Sequence, residues 1–280
     1  MIVNRLGIAA LGLVAGLAAG LAAASTANAQ TCTPKVPDSL LVKPGTLVMS
    51  INPTLPPVQW VDDKGQLRGL HVELGDAIAR KLCLKPEHVR VEFSVMVPGV
   101  QSGRWDMINT GMFFTEDRAK IMQLVRYGYD GISISAQAGN PLKITKPEDL
   151  AGRSVSVELG GAPERRAREL SKSLEDKGLK PLTIRSFDNF GSAYQALRAG
   201  QVDAAVSVDA VARLYGEKGE FAEAITGLYP TVIAFGLSKK QLAEQVAAAM
   251  QELRAEGTYQ KMFTAYGRKL YEDPFDVKGP

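Results

Sequence analysis

The sequence predicts an α/β protein of two lobes, each a mostly parallel sheet flanked by helices, with a ligand cleft between the lobes. Three observations lead there. Short apolar stretches alternate with helical stripes, the order of a mostly parallel sheet. That scheme runs twice along the chain. And one joint recurs at the corresponding point of each half: a helix end, a Gly, two residues, an Asp and an apolar strand. It stands in Gln101-Ser102-Gly103-Arg104-Trp105-Asp106-Met107-Ile108, and again in Gly200-Gln201-Val202-Asp203 leading into Ala204-Ala205-Val206-Ser207-Val208. Glycine suits the joint because it ends a helix in the left-handed conformation. Ligands of open parallel sheets bind outside the carboxyl ends of the strands, so two such lobes face to face enclose a site.

The elements follow in order. Thr46–Ile51 is a short apolar strand, and Asp62-Asp63-Lys64-Gly65 a turn. Leu70, Leu74, Ile78 and Leu82 recur every fourth residue, one face of a helix. Val89–Phe93 alternates as a strand; a short helical piece ends at Gly103, and Asp106–Ile108 opens the next strand. In the second half, Thr145-Lys146-Pro147-Glu148 reads as a capping box with Pro near the first helical position. Ser154–Val157 is a strand, Pro163–Leu174 a charged helix, Thr183–Arg185 a strand and Ser192–Ala199 a helix. The tail returns to helix through Leu242, Val246, Ala249 and Leu253; Gly257 interrupts it before Tyr259, Met262, Phe263 and Tyr266.

Composition narrows the function. The chain is 45% hydrophobic and 22% charged, a globular and not a disordered balance. A net charge of +3 is too small for a protein committed to nucleic acid. Two cysteines and two histidines are too few for a Cys/His zinc module, and no Gly-rich phosphate loop with Lys is present, so neither metal nor cofactor is expected. His71, at a helix start, and His88, in a charged turn, are expected at the surface, and no nucleophile motif supports Ser-His-Asp catalysis.

Residues 1–29 carry one charge, Arg5, and an Ala/Gly/Leu-rich run that closes with Ala27-Asn28-Ala29, a small-x-small cleavage pattern. This is a signal peptide cleaved after Ala29, leaving Gln30 first; the competing reading is an uncleaved anchor, since the run could just span a membrane. The residues before Cys32 fit a lipoprotein box poorly, so the product is expected to be soluble and periplasmic. There Cys32 and Cys83 are expected to form a disulfide, against the alternative of two unpaired thiols.

With those elements in place, the sequence resembles the polar-amino-acid type (family 3) solute-binding proteins of bacterial ABC importers. The resemblance runs over about residues 45–267. It is carried by Gly69-Leu70-His71-Val72-Glu73-Leu74, Gln101–Asp106, Gly111–Lys120, Lys146–Gly152, Gly200–Ala204 and Glu252–Tyr259, in the family's order and spacing. It implies a type II periplasmic-binding-protein fold, two crossover strands and closure around one small ligand. The expected partition is residues 30–132 with 233–280 as lobe 1 and 133–232 as lobe 2, with crossovers near 130–137 and 228–235. The expected partners are an amino acid or other small carboxylate and an inner-membrane ABC permease, with the protein a monomer.

The resemblance also nominates site residues. Arg118, in Thr115-Glu116-Asp117-Arg118, stands where the family grips an α-carboxylate. Guanidinium suits that task, being always charged with paired donors for a planar anion. As a mere helix-start residue it would oppose the macrodipole. Gly160-Gly161-Ala162-Pro163 precedes a helix, and free amides there attract an anion. Gly161 and Ala162 replace hydroxyl residues usual in the family. Thr110, Gly111 and Met112 align with the segment that offers a hydroxyl and backbone groups; Phe113 replaces a usual Thr. Leu55 stands at a common aromatic position, and Trp60 could supply the missing ring or simply pack. In lobe 2 the family's ammonium-binding Asp aligns with Val208. Either the loop shifts and Asp209 serves, or the amine contact is absent.

The reading is therefore a binding protein and not an enzyme. Two alternatives stand beside it. One is a cyclohexadienyl-dehydratase-like enzyme, which needs a carboxylic acid in the cleft and has only Glu158 or Glu73 to offer. The other is a ligand sensor.

Overall fold

Thr46–Ile51 (β1) is buried at all six positions, as an apolar strand covered on both faces must be. In the computed structural model, which describes residues 32–280, it lies inside a nine-stranded sheet. The chain continues through Thr54–Leu55 (β2), Gln59–Val61 (β3) and Leu67–Arg68 (β4), a small antiparallel sheet, to the helix Leu70–Lys81 (α1). Lys85–Arg90 (β5), the helix Met96–Gln101 (α2), Met107–Phe113 (β6), the short helix Glu116–Ala119 (α3) and Gln123–Gln137 (β7) follow. The second half runs Ser154–Glu158 (β8), Ala162–Asp176 (α4), Thr183–Phe187 (β9), Phe190–Arg198 (α5), Ala204–Val208 (β10) and Asp209–Glu217 (α6). Phe221–Leu237 (β11), Lys240–Ala255 (α7), Thr258–Ala265 (α8) and Val277–Lys278 (β12) complete the chain.

The sheet order is β5-β1-β6-β11-β7-β10-β8-β9, with β12 on β7. β5-β1-β6 and β10-β8-β9 are parallel sets, one per lobe, flanked by helices. Between them run the two long strands β7 and β11, antiparallel to each other and to their neighbours β10 and β6. Their register slips between Glu223 and Ile225, Ile225 and Leu228, and Leu228 and Thr231, and Tyr229 there takes a left-handed φ of 51°.

The repeated joint has a common physical purpose. Gly103 and Gly200 both end their helices in the left-handed region, at φ 72° and 67°. The Asp that follows clamps the neighbouring parallel strand. Asp106 accepts from the Val42 and Val48 amides, both at 2.8 Å, fixing β1 beside β6. Asp203 accepts from the Ser154 amide at 2.7 Å and its hydroxyl at 2.8 Å, fixing β8 beside β10. A carboxylate accepting two donors holds a strand start more firmly than a neutral acceptor would.

Several elements differ from the sequence expectation. β5 begins at Lys85, four residues early, because Lys85–Arg90 pairs along the whole of β1, and Phe93 instead opens a 3-10 turn. The expected capping box at Thr145–Glu148 closes one residue on: the Asp149 carboxylate takes the Thr145 and Lys146 amides over a 3-10 turn, Pro147–Leu150. His71 is buried, 3% exposed, and His88 is half-buried against Asp76 at 2.8 Å. α1 packs against the sheet on one side and α7 and α8 on the other, so its buried surface is wider than one stripe. Cys83 sits just past α1 in the left-handed region, at φ 58°. Both cysteines are disulfide-bonded and neither is free. The expected signal peptide, residues 1–29, lies outside the described residues. No described helix is long and apolar enough to cross a membrane.

One packing contact yields a stability expectation. Trp105 is 1% exposed, donates to the Met96 carbonyl at 3.1 Å, and lies over Gly99 so closely that a Cβ there would meet the ring at 1.8 Å. Gly to Ala inside a helix ordinarily gains about 0.5–1 kcal/mol. Here overpacking, at roughly 1–3 kcal/mol, outweighs that gain. Gly99→Ala is expected to lower the urea midpoint; an unchanged or raised midpoint would contradict the packing described.

Candidate ligand-binding site

A cavity lies where the carboxyl ends of the strands of the two lobes meet. From one side come Leu55 on β2, Phe93, Thr110–Phe113 on β6, and Arg118 on α3; from the other Glu158 at the end of β8, Gly161–Pro163 opening α4, Phe190 and Val208. Its walls are mostly apolar. The charged groups are Arg118 and Glu158.

Arg118 is fixed at both ends. Its amide donates to the Thr115 hydroxyl at 3.1 Å, which caps α3. Its guanidinium donates to the Phe113 carbonyl at 2.7 Å and lies 5.4 Å from the centre of the Phe93 ring. No carboxylate pairs with it among the described residues. Burial first, and then the Arg165 charge, bring its pKa down to about 10. A cation held in this way lacks a counter-charge.

The hydroxyl of Thr110 belongs to a buried relay. The Gln59 amide nitrogen donates to it, and the Gln59 carbonyl oxygen accepts from His71 Nδ1 at 2.6 Å. Because that carbonyl can only accept, His71 carries its proton on Nδ1. Burial, with the Arg268 charge, pushes the His71 pKa down to about 3, so the ring is neutral. Gly111 is required beside it: its φ is +69°, and a Cβ would approach His71 Cε1 to 2.8 Å. Gln59 and His71 escape a sequence reading because polar residues on half-apolar segments signal surface, while their burial is decided by α1 packing over β6.

The turn before α4 is less open than its glycines imply. The Gly160 amide donates to the Glu164 carboxylate at 2.7 Å, and the Gly161 amide to the Glu158 carbonyl at 3.3 Å. Two of the three amides ahead of Pro163 are therefore committed inside the turn.

Glu158 is 3% exposed. One oxygen, Oε1, accepts from the Asn52 amide at 2.7 Å, and Asn52 in turn accepts from the Thr54 hydroxyl at 2.9 Å. The other, Oε2, lies by Gly161, where a Cβ would stand 3.3 Å away. Burial raises the Glu158 pKa to about 8, the Asn52 bond opposes this, and the Glu92 carboxylate adds to the rise. Glu73, the other carboxyl considered from sequence, is remote: it accepts from the Tyr266 hydroxyl at 2.6 Å.

Of the residues nominated from sequence, Arg118, Thr110, Gly111, Met112, Phe113, Gly161, Ala162 and Leu55 line one cavity. Trp60 and Asp209 do not. Trp60 sits on β3 between Thr54 and Arg68, half-buried away from it. Val208 ends β10 facing the cavity, and Asp209, one residue on, starts α6. Its carboxylate accepts from the Ser133 hydroxyl at 2.6 Å and lies in a different cleft, with Asp130, Arg213 and Arg268.

Two α/β lobes joined by two long strands, with an apolar cavity between them bearing one unpaired cation, define a two-lobed solute-binding protein of type II. Residues 47–269 match the bacterial extracellular solute-binding proteins, family 3, and the chain belongs to that family. An arginine-binding protein of Corynebacterium glutamicum is 28% identical over 236 residues, covering 83% of this chain and 77% of the relative. Among solved structures, an ancestral arginine-binding protein bound to glutamine superposes with a TM-score of 0.71 at 32% identity, covering 79% of this chain and 97% of the other. An ancestral amino-acid-binding protein, a precursor of cyclohexadienyl dehydratase, gives 0.71 at 27% identity, covering 79% and 95%.

Proposed function

We propose that this protein is the periplasmic receptor of an ABC importer and captures an amino acid by closing its two lobes on it, with Arg118 holding the ligand carboxylate. The observation that carries the reading is Arg118 itself, a half-buried guanidinium at the cavity wall without a carboxylate partner among the described residues. The lobes divide as residues 30–132 with 233–280 and residues 133–232. The cavity draws Leu55, Thr110 and Arg118 from the first and Glu158, Gly161 and Val208 from the second, which supports a site that forms on closure. The permease partner and a leader cleaved after Ala29 follow from the same reading.

The test is a thermal-shift screen of the amino acids and small carboxylates. A ligand that binds only the native state stabilises it by about 2.7 kcal/mol at a hundredfold excess over Kd. At least one amino acid is expected to raise the Tm by several degrees. No shift with any amino acid, together with a shift for an amine-free carboxylate, would overturn the reading.

A second reading rests on Glu158, a buried carboxyl that keeps its proton near neutral pH in the same cavity as Arg118. A group of that kind can act as a general acid, as a cyclohexadienyl-dehydratase-like activity requires. Formation of an aromatic product from a cyclohexadienyl acid on mixing with the protein would favour it over transport.

A further inference from the structure

We propose that Glu158 determines the specificity of this cleft: its Oε2 meets a cationic nitrogen of the bound amino acid, and the pair forms with release of the Glu158 proton to solvent. The inference rests on the amino-acid reading above and names how the amine end is recognised. Asp209, the obvious sequence candidate for that role, is engaged by Ser133 in another cleft, and Val208 offers no charge. An ammonium against Val208 alone would be desolvated without a partner. The acid that the cavity does hold is Glu158.

Its setting is built for one more contact. Asn52 occupies Oε1, while Oε2 stands beside Gly161 at the cavity wall. With no Cβ, Gly161 leaves Oε2 uncrowded where a side chain would press against it at 3.3 Å. The charged groups around Glu158 are Glu92, from the segment after β5, and Arg118, across the cavity on α3; the end of β1 contributes the neutral Asn52 and the cap of α5 the neutral Asn189, which donates to Glu92 at 3.2 Å. No described cation pairs with Glu158, so the empty site favours the acid form and a cationic ligand reverses that preference. The proton balance is simple: the ligand arrives with its nitrogen protonated, the Glu158 O–H bond breaks, and the buffer takes the proton.

At pH 7 a carboxyl titrating near 8 is protonated in roughly ten molecules to one. Ligand capture is therefore expected to release close to one proton at pH 7. Affinity rises about tenfold per pH unit below 8 and levels above it, because only the ionised form makes the pair. The amino acid giving the largest shift in the thermal screen is titrated by calorimetry at pH 7 in phosphate and in Tris, whose ionisation heats differ. Heats that differ by nearly one proton, and that become equal in Glu158→Gln with at least tenfold weaker binding, support the proposal. Binding without proton release in the wild-type protein overturns it, whether or not the Gln variant folds, and leaves the amino-acid reading standing. Release that persists in Glu158→Gln overturns it equally. If no amino acid binds, the amino-acid reading fails first and this inference with it.

Discussion

Arg118→Ala is expected to lose ligand binding by about 2–5 kcal/mol, the usual cost of removing one member of a desolvated charge pair. The carboxylate would then sit among Phe93, Phe113 and Pro163 without a cation. Arg118→Lys keeps the charge and loses the paired donors, so it should recover only part of the loss. The empty protein should melt no lower than the wild type. In the absence of ligand, Arg118 is a cation without a carboxylate partner among the described residues, pushed down by burial and by Arg165, and its removal relieves that cost even as it forfeits the bond to Phe113. Calorimetry and thermal melting of the same samples test both halves. Near-normal affinity in Arg118→Ala would show that the ligand carboxylate is held elsewhere.

Arg268→Ala is expected to destabilise the fold by about 3–5 kcal/mol. Arg268 follows α8 and pairs with Asp130 on β7 at 2.9 Å, with side chains only 12% and 10% exposed, and it also donates to the Tyr129 carbonyl at 2.6 Å. Burial already holds the Asp130 carboxyl above its ordinary range, and the Asp209 carboxylate raises it further. Without Arg268 that acid stays buried with, among the described residues, only the Gly131 amide as a partner. The double variant Arg268→Ala with Asp130→Asn removes the stranded charge and should recover much of the loss. Urea unfolding of the wild type and the two variants decides; a single variant within about 0.5 kcal/mol of wild type would show that the pair contributes nothing net.

The chain's periodicity made most helices and the inner strands legible. α1, α4, α5, α7 and α8 fall where apolar spacing and breaking glycines put them, and the Gly-x-x-Asp joint marked the internal repeat. β7 and β11 were not legible from local pattern, since strands of 15 and 17 residues that cross from one environment to another keep no single alternation. Only the resemblance implied them. In the site, the cluster from Thr110 to Arg118 was readable because it is continuous in sequence. His71, Gln59 and Asn52 were not, because their roles come from packing between segments far apart in the chain. The placement of Val208 and Asp209 turns on a single residue of register, which a sequence leaves open.

Gly161 has a consequence for how this cleft could change over time. A Cβ there would stand 3.3 Å from Glu158 Oε2 and as near to the Glu158 carbonyl and Pro163 Cδ, tight but in an ordinary backbone conformation. Positions 158 and 161 are thus tied. A hydroxyl residue at 161 is tolerated more easily once the acid at 158 has become smaller, and the acid fits most easily while 161 remains bare. Mutational routes between this cleft and one with the family's usual hydroxyl turn would therefore depend on order, with the exchange at 158 coming first on the way out and last on the way in.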